Sequence, residues 1–300
     1  MERIDGVFMH TPQFRSDLMS DLLTVNLILK FEMFNPIRSF KGREADLFLS
    51  DLPSTSPTLV CASAGNFGQG LAYCARKRNL RTVIFAALSA NPMKIERMRQ
   101  LGADVRLAGS DFDAAKEFAE EFARTTGGRY VEDGFEPAIS EGAGTIAVEL
   151  TAESCVLDYV LVPLGGGALL AGMACWLRAH SPQTQIIGVC AANAPAMALS
   201  LRHGRPHPTA TATTIADGIA VRAPVPAALT DLQGNVDEVM LVEDEAMVEA
   251  MRLLFRHHGV TSEPAGVVGL AAIISEKERF QHACLATPIC GGNLHDQQIR

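Results

Sequence analysis

The chain has 300 residues, 48% of them apolar, and 34 acidic against 26 basic side chains give a net charge of −8. That length can bury a core for one large domain or two modest ones. The acidic balance argues against a nucleic-acid or anionic-membrane partner.

Taken in order, Val25–Phe31 is short and β-rich. An Asn35-Pro36 turn follows, and Ser39 is a candidate N-cap for a helix running to Ser50. Lys41 then falls in the first helical turn, where the macrodipole disfavours a cation. That placement allows a lowered pKa and a lysine able to attack a carbonyl; a solvated lysine at a helix start is the alternative. Strands are expected at Thr58–Cys61, Thr82–Phe85 and Ala103–Leu107. Helices are expected at Asn66–Arg78, Ala90–Leu101 and Asp111–Arg124. Glu141–Ala152, Asp158–Val162, Ala168–Ala179 and Gln185–Val189 continue the alternation. Such alternation implies right-handed crossovers and largely parallel sheets. Arg202–Thr214, rich in Pro, Thr and His, reads as a surface loop. Val267–Ile274 reads as a helix and Ala283–Ala286 as a strand.

Turn-rich stretches at Asp51–Pro57 and Glu132–Pro137 bound a compact unit. The expected division is a large domain of residues 1–52 and 134–300 with a small inserted domain, 53–133. A ligand is expected in the cleft between them. Cys61, Cys74, Cys155, Cys175, Cys190, Cys284 and Cys290 show no CxxC spacing. They read as reduced, mostly buried thiols of a cytosolic protein. Met1–Gly6 carries acids and no apolar signal segment. The uncharged Tyr159–Leu177 is interrupted by Pro163 and three glycines, so it reads as a buried strand and helix rather than a membrane span. His257 and His258 close a helix, where imidazolium suits the dipole.

Three turns carry chemistry. Cys61–Gly70 runs from a strand into a helix through small residues, offering free backbone N–H groups to an anion such as a carboxylate; an ordinary turn capped by Ser63 or Asn66 is the alternative. Gly165-Gly166-Gly167-Ala168-Leu169 repeats the design and suits one phosphate. A dinucleotide fingerprint fails, because Leu170 stands at its last glycine and Val189-Cys190-Ala191 ends the next strand without an acid. Pro288–Asn293 is a third strand-to-glycine turn, in which Cys290 reads equally as a structural thiol. Glu263 opens a helix, where a carboxylate favours the dipole. No metalloprotease, nucleophile-elbow or Walker motif is present.

These turns, in this order, resemble the fold-type II pyridoxal-phosphate enzymes, in particular the threonine/serine dehydratases, over nearly the whole chain. Pro36–Lys41 is similar to the family's Pro-x-x-Ser-Phe-Lys, Ser63–Asn66 to its Ser-x-Gly-Asn, and Gly165–Leu169 to its phosphate loop. Glu141–Thr145, Ala216–Val221, Glu263–Gly266 and Cys290–Asn293 resemble its remaining segments. The resemblance implies an α/β fold of two open αβ domains with largely parallel sheets, like the tryptophan synthase β chain. It implies pyridoxal 5'-phosphate on a Schiff base at Lys41, its phosphate held by Gly165, Gly166, Gly167, Ala168 and Leu169. Asn66 would bond the ring hydroxyl and Cys290 would face the ring nitrogen. Ser63, Ala64 and Gly65 would hold the substrate carboxylate. Lys41 would also remove the Cα proton, and a hydroxy amino acid such as L-threonine or L-serine would yield a 2-oxo acid and ammonia. The partners implied are that amino acid and further copies of the chain, as a homodimer or higher homo-oligomer.

Departures narrow the reading. Arg38, Ile37, Glu44, Ala168 and Phe67 replace residues common in the family. Ala64 stands where the family's racemases place a second serine, and alanine cannot donate a proton, so elimination is expected over racemisation. Cys190–Ala196 lacks the carboxylates of the racemase cation site, so no such metal is expected. A threonine synthase, a β-replacement synthase, an amino-acid racemase and a non-catalytic B6-binding protein are the alternatives.

Overall fold

The structure, a computed structural model, describes residues 2–53, 55–152 and 156–294. Met1, Ser54 and Cys155 lie outside the described residues. The first half comprises β1 (Gln13–Arg15), α1 (Asp17–Leu23), β2 (Asn26–Phe31), α2 (Lys41–Ser50), β3 (Leu59–Ala62), α3 (Asn66–Lys77), β4 (Thr82–Ala86), α4 (Pro92–Gln100), β5 (Asp104–Leu107), α5 (Phe112–Thr126), β6 (Arg129–Tyr130) and α6 (Pro137–Leu150). The second comprises β7 (Tyr159–Pro163), α7 (Ala168–His180), β8 (Gln185–Ala191), α8 (Ala196–His203), α9 (Pro226–Leu232), β9 (Glu238–Val242), α10 (Asp244–His258), α11 (Val268–Ser275) and β10 (Cys284–Ile289).

The strands form a six-stranded sheet, β1-β2-β10-β7-β8-β9, and a four-stranded sheet, β5-β4-β3-β6. Every pairing is parallel except β1 with β2. Parallel strands need covering helices on both faces, and the buried runs Leu27–Phe31, Val160–Pro163 and Cys284–Ile289 have the apolar character that double covering selects. The uncharged stretch from Tyr159 supplies β7 and most of α7, and no helix among the described residues is long and apolar enough to cross a membrane.

Helix α2 sits where the two sheets' layers meet. Its Phe48 and Leu49 share a core with Leu59, Leu71, Ile84 and Met98 of the four-stranded layer, and with Ile4 and Phe8 near the N-terminus. Its other side packs on α6 through glycine: a Cβ on Gly142 would lie 2.6 Å from the Arg43 carbonyl oxygen. Gly144 and Gly172 bring α6 against α7 in the same way, since a Cβ on Gly144 would meet the Gly172 carbonyl at 2.7 Å. The Glu-Gly-x-Gly-Thr segment is thus a packing device rather than a ligand loop.

Element boundaries shift modestly from expectation. Helix α6 begins at Pro137, four residues before Glu141, because proline is preorganised for a first helical turn. Asn91 and Asp111 cap α4 and α5 by accepting from Met93 N and Ala114 N. The expected helix at Val267 is preceded by a 3-10 turn, Pro264–Val267, and the last strand extends to Ile289. Strands β1, β6 and β9 and helices α1, α8 and α9 carry too short or too weak a pattern to be legible. His258 closes α10 as expected, but burial, with His257 beside it, lowers its pKa, so the dipole argument for an imidazolium there does not hold.

Candidate active site

Lys41 is the first residue of α2, and its N-cap is Phe40, not Ser39. The Ser39 hydroxyl still serves that end of the helix, accepting from Lys41 N at 3.1 Å. Asn35 shapes the preceding turn: its Oδ1 accepts from Ile37 N at 3.1 Å and its Nδ2 donates to the Ser39 carbonyl at 3.0 Å. Arg38 holds φ 54° there, a left-handed backbone that glycine adopts more readily than a residue with a side chain. Two contacts tie the turn to the end of β10. Phe40 N donates to the Cys290 carbonyl at 3.2 Å, and Ser39 bridges Gly291.

The environment of Lys41 Nζ differs from the sequence reading. It lies 2.6 Å from Asp133 Oδ2 and 2.8 Å from Glu44 Oε2, with the Phe40 ring centroid at 4.6 Å. Burial pulls its pKa down, but the Asp133 and Glu44 carboxylates outweigh burial and hold it above the ordinary value. The lowered pKa expected from the helix dipole is therefore wrong for this state: partial dipole charges are smaller than two full charges in contact. Burial pushes Glu44 in turn up to about 8, against the pull of Lys41 and with Asp133 adding to the rise. Apart from Lys41, no donor among the described residues reaches Glu44.

The glycine loop approaches the same point. Gly167 is the N-cap of α7 with φ 107°, and the loop packs on 217–219, where a Cβ on Gly165 would lie 3.0 Å from Ile219 Cα. A Cβ on Gly166 would meet nothing within 4 Å, so the loop backbone is open at that residue. Gly134, next to Asp133, closes one side: its Cβ would stand 3.1 Å from the Gly166 carbonyl oxygen. Ala168 and Leu169 are buried in the first turn of α7. A phosphate group fits this cradle of backbone N–H groups without a lysine or arginine.

Cys290 is buried, and burial, with Glu32 and Glu263 nearby, raises its thiol well above the ordinary range. It is a neutral group, suited to a ring nitrogen that stays unprotonated. Asn66 opens α3, and its side chain is held from two sides. Its Nδ2 donates to Glu263 Oε1, and its Oδ1 accepts from Asn293 Nδ2 at 2.8 Å. The Ser63 hydroxyl accepts from Gly65 N at 3.2 Å and Gly68 N at 2.9 Å, which sets the curve of the Ser63-Ala64-Gly65 loop. Sequence reasoning missed Lys94, which is buried beside this loop. Its Nζ is 2.6 Å from Asp217 Oδ2 and 3.5 Å from Glu263 Oε2, and a Cβ on Gly65 would lie 3.5 Å from it.

Behind α2 lies a second set of charges that no motif announces. Arg43 is fully buried, its Nε 2.8 Å from Glu32 Oε2 and its Nη1 2.8 Å from Glu149 Oε1. Lys30 Nζ reaches Glu149 Oε2 at 2.6 Å. Arg43 anchors one face of the helix whose other face presents Lys41. A cavity of about 320 Å³ lined by Lys116, Glu132, Phe135, Pro224, Val225 and Pro226 includes none of the predicted site residues.

Comparison with known proteins places the chain in a family. The model of the family described as "Pyridoxal-phosphate dependent enzyme" matches residues 4–291. The L-threonine ammonia-lyase of Thermotoga maritima is 34% identical over 95% of this chain and 71% of its own length. The L-threonine dehydratase biosynthetic IlvA of Haemophilus influenzae is 30% identical over 97% of this chain, which spans 57% of that relative. The crystal structure of the T.th. threonine deaminase superposes with a TM-score of 0.92 at 32% identity, covering 98% of this chain and 96% of the other.

Proposed function

The chain belongs to the pyridoxal-phosphate dependent enzymes, and from that membership we propose that it eliminates the β-hydroxyl of an amino acid such as L-threonine or L-serine, giving a 2-oxo acid and ammonia. The observation that carries the reading is the convergence of Lys41, the open glycine cradle and the neutral Cys290. The Phe40–Cys290 hydrogen bond and the packing of Gly134 on Gly166 join the three. The relatives named as threonine ammonia-lyase and threonine dehydratase support the same choice of substrate.

Pyridoxal 5'-phosphate, when bound, supplies an aldehyde for amine exchange and a ring that withdraws electrons from Cα. Lys41 would be the amine that anchors it. Gly165, Gly166, Gly167, Ala168 and Leu169 would hold its phosphate, and Asn66 and Cys290 would hold its ring. Ser63, Ala64 and Gly65 orient the substrate carboxylate by backbone N–H groups at the head of α3. Lys41 Nζ, as a free amine, would be the general base that takes the Cα proton. Ala64 offers no proton to the opposite face of Cα, which favours elimination over racemisation.

We assign cofactor binding to residues 1–52 and 134–300 and treat 53–133 as the inserted unit. The confinement of β3–β6 to residues 59–130 supports this division. A cytoplasmic homodimer or higher oligomer would cover exposed apolar side chains such as Phe14, Leu18, Leu22, Phe34 and Phe255. Borohydride treatment of the purified protein, followed by peptide mapping, should place the reduced adduct on Lys41. Incubation with L-threonine or L-serine alone should release ammonia and a 2-oxo acid. A requirement for a second substrate would indicate a synthase, and inversion at Cα without ammonia a racemase. An absence of any adduct would refute the assignment.

A further inference from the structure

We propose that Glu44 is the proton-exchange partner of Lys41: a buried carboxylate that takes the ε-ammonium's proton whenever the amine must act as nucleophile or base, and returns it afterwards. This rests on the functional reading above, because it concerns the same lysine.

The geometry is specific. Glu44 is fully buried, lies one helical turn after Lys41, and places Oε2 2.8 Å from Nζ. Arg43, the adjacent cation, is turned to the opposite face of α2 and is engaged by Glu32 and Glu149. The charged and titratable groups facing Glu44 are therefore few. They are Lys41 on its own helix, Asp133 from the 131–136 loop, and the neutral Cys290 from the end of β10. From α3, Cys74 Sγ lies 3.9 Å from the Gly42 carbonyl, and its charged neighbours are Asp46, Arg78 and Lys77 rather than Glu44. From α6, the backbone at Gly142 approaches Glu44: a Cβ there would lie 2.8 Å from Glu44 Cα. A carboxylate placed so, with no arginine and no backbone N–H group to hold its charge, is built to be neutral part of the time. Asp133, by contrast, is not enclosed: its side chain is 32% exposed.

The step balances simply. The ammonium of Lys41 passes one proton to the carboxylate of Glu44, leaving a neutral amine and a neutral carboxylic acid. The amine's lone pair is then free to attack a carbonyl carbon or to accept the Cα proton. The reverse transfer restores both charges. A merely electrostatic Glu44 would have the opposite effect on reactivity, since a neighbouring anion favours the ammonium and reduces the neutral amine.

The two roles separate in the rate at which cofactor-free protein captures added pyridoxal phosphate, followed by stopped-flow absorbance without substrate. A relay predicts that Glu44→Gln slows capture about 100-fold at about pH 9, where Glu44 is ionised and can accept the proton, at the low end of what general acid–base catalysis contributes. Charge alone predicts faster capture, and an unchanged or faster rate overturns the proposal. A second readout needs only the wild-type protein. Above the Glu44 transition at about 8, exchange within the pair keeps the reactive proton count constant, so the capture rate should be flat with pH. Without exchange it should climb about tenfold per pH unit until the amine itself titrates. Such a climb in the wild type overturns the proposal even if the variant does not fold. Failure of the wild type to capture pyridoxal phosphate at all would instead sink the functional reading, and this proposal with it.

Discussion

Replacing Glu149 with alanine probes the charges that hold α2 from behind. Glu149 Oε1 accepts from Arg43 Nη1 and His10 N, both at 2.8 Å. Its Oε2 accepts from Arg43 Nη2 at 2.9 Å and Lys30 Nζ at 2.6 Å. Two buried cations face two buried carboxylates, Glu32 and Glu149. Removing one carboxylate strands a positive charge at sites where Arg43 and Lys30 are about 1% exposed or less. Breaking a buried pair in this way costs about 3–5 kcal/mol, a large share of the roughly 5–15 kcal/mol that holds a typical protein folded. A linkage estimate agrees. Despite burial, hydrogen bonds and charge from Arg43 and Lys30 hold the Glu149 carboxyl at about 2, against an ordinary 4.5. That difference is worth about 3 kcal/mol. Because the folded-state value is depressed, this stability is present above the unfolded value of 4.5 and is lost as pH falls through about 2. Urea denaturation of wild type and Glu149→Ala at neutral pH should show the loss directly. The acid limb of the wild type should be steeper than that of the variant, which has no such carboxylate to protonate. A neutral-pH loss below about 1 kcal/mol, or identical acid limbs, would refute the claim that this pair is desolvated and structural.

Other perturbations test the site more directly. Gly167→Ala forces a side chain onto φ 107° and puts its Cβ 2.9 Å from Ala228 Cβ. It should cost about 1–3 kcal/mol and weaken pyridoxal phosphate binding in an absorbance titration. Arg38→Gly should raise stability by about 1 kcal/mol by relieving a left-handed backbone, read as a higher melting temperature. Gly172→Ala would place a Cβ 1.8 Å from the Ser140 carbonyl oxygen and should cost at least about 3 kcal/mol by parting α6 from α7. Ser63→Ala removes the acceptor for Gly65 N and Gly68 N. It should cost about 1 kcal/mol and raise KM more than it lowers kcat, because the loop it shapes is the one assigned to the substrate carboxylate.

Much of the architecture was legible locally. Alternating apolar runs gave β3 to α5 within two residues of their observed ends, because a strand buried on both faces and a capped helix each leave a mark within a dozen residues. The three strand-to-glycine turns were legible for the same reason: a backbone that must approach a ligand or turn through positive φ restricts residue choice on the spot. Partners of those turns were not. Asp133 comes to Lys41 across 92 residues, and Lys94 to Asp217 across 123. Neither contact has a local signature, since a surface acid and a buried one read alike in sequence.

Lys41 illustrates the division. Its proposal as the reactive amine followed from its turn and from the ordered set of motifs around it. Its charge did not, because a lysine's ionisation depends on every charge and every shielding atom within a few ångströms. The chain's own letters thus determine which segments become turns, helices and buried strands. Only the packed molecule decides that Glu44 and Asp133 close on one amine while Glu32 and Glu149 close on the arginine behind it. Short-range sterics are written in neighbouring residues, whereas electrostatics in a low-dielectric interior belongs to groups the fold brings together.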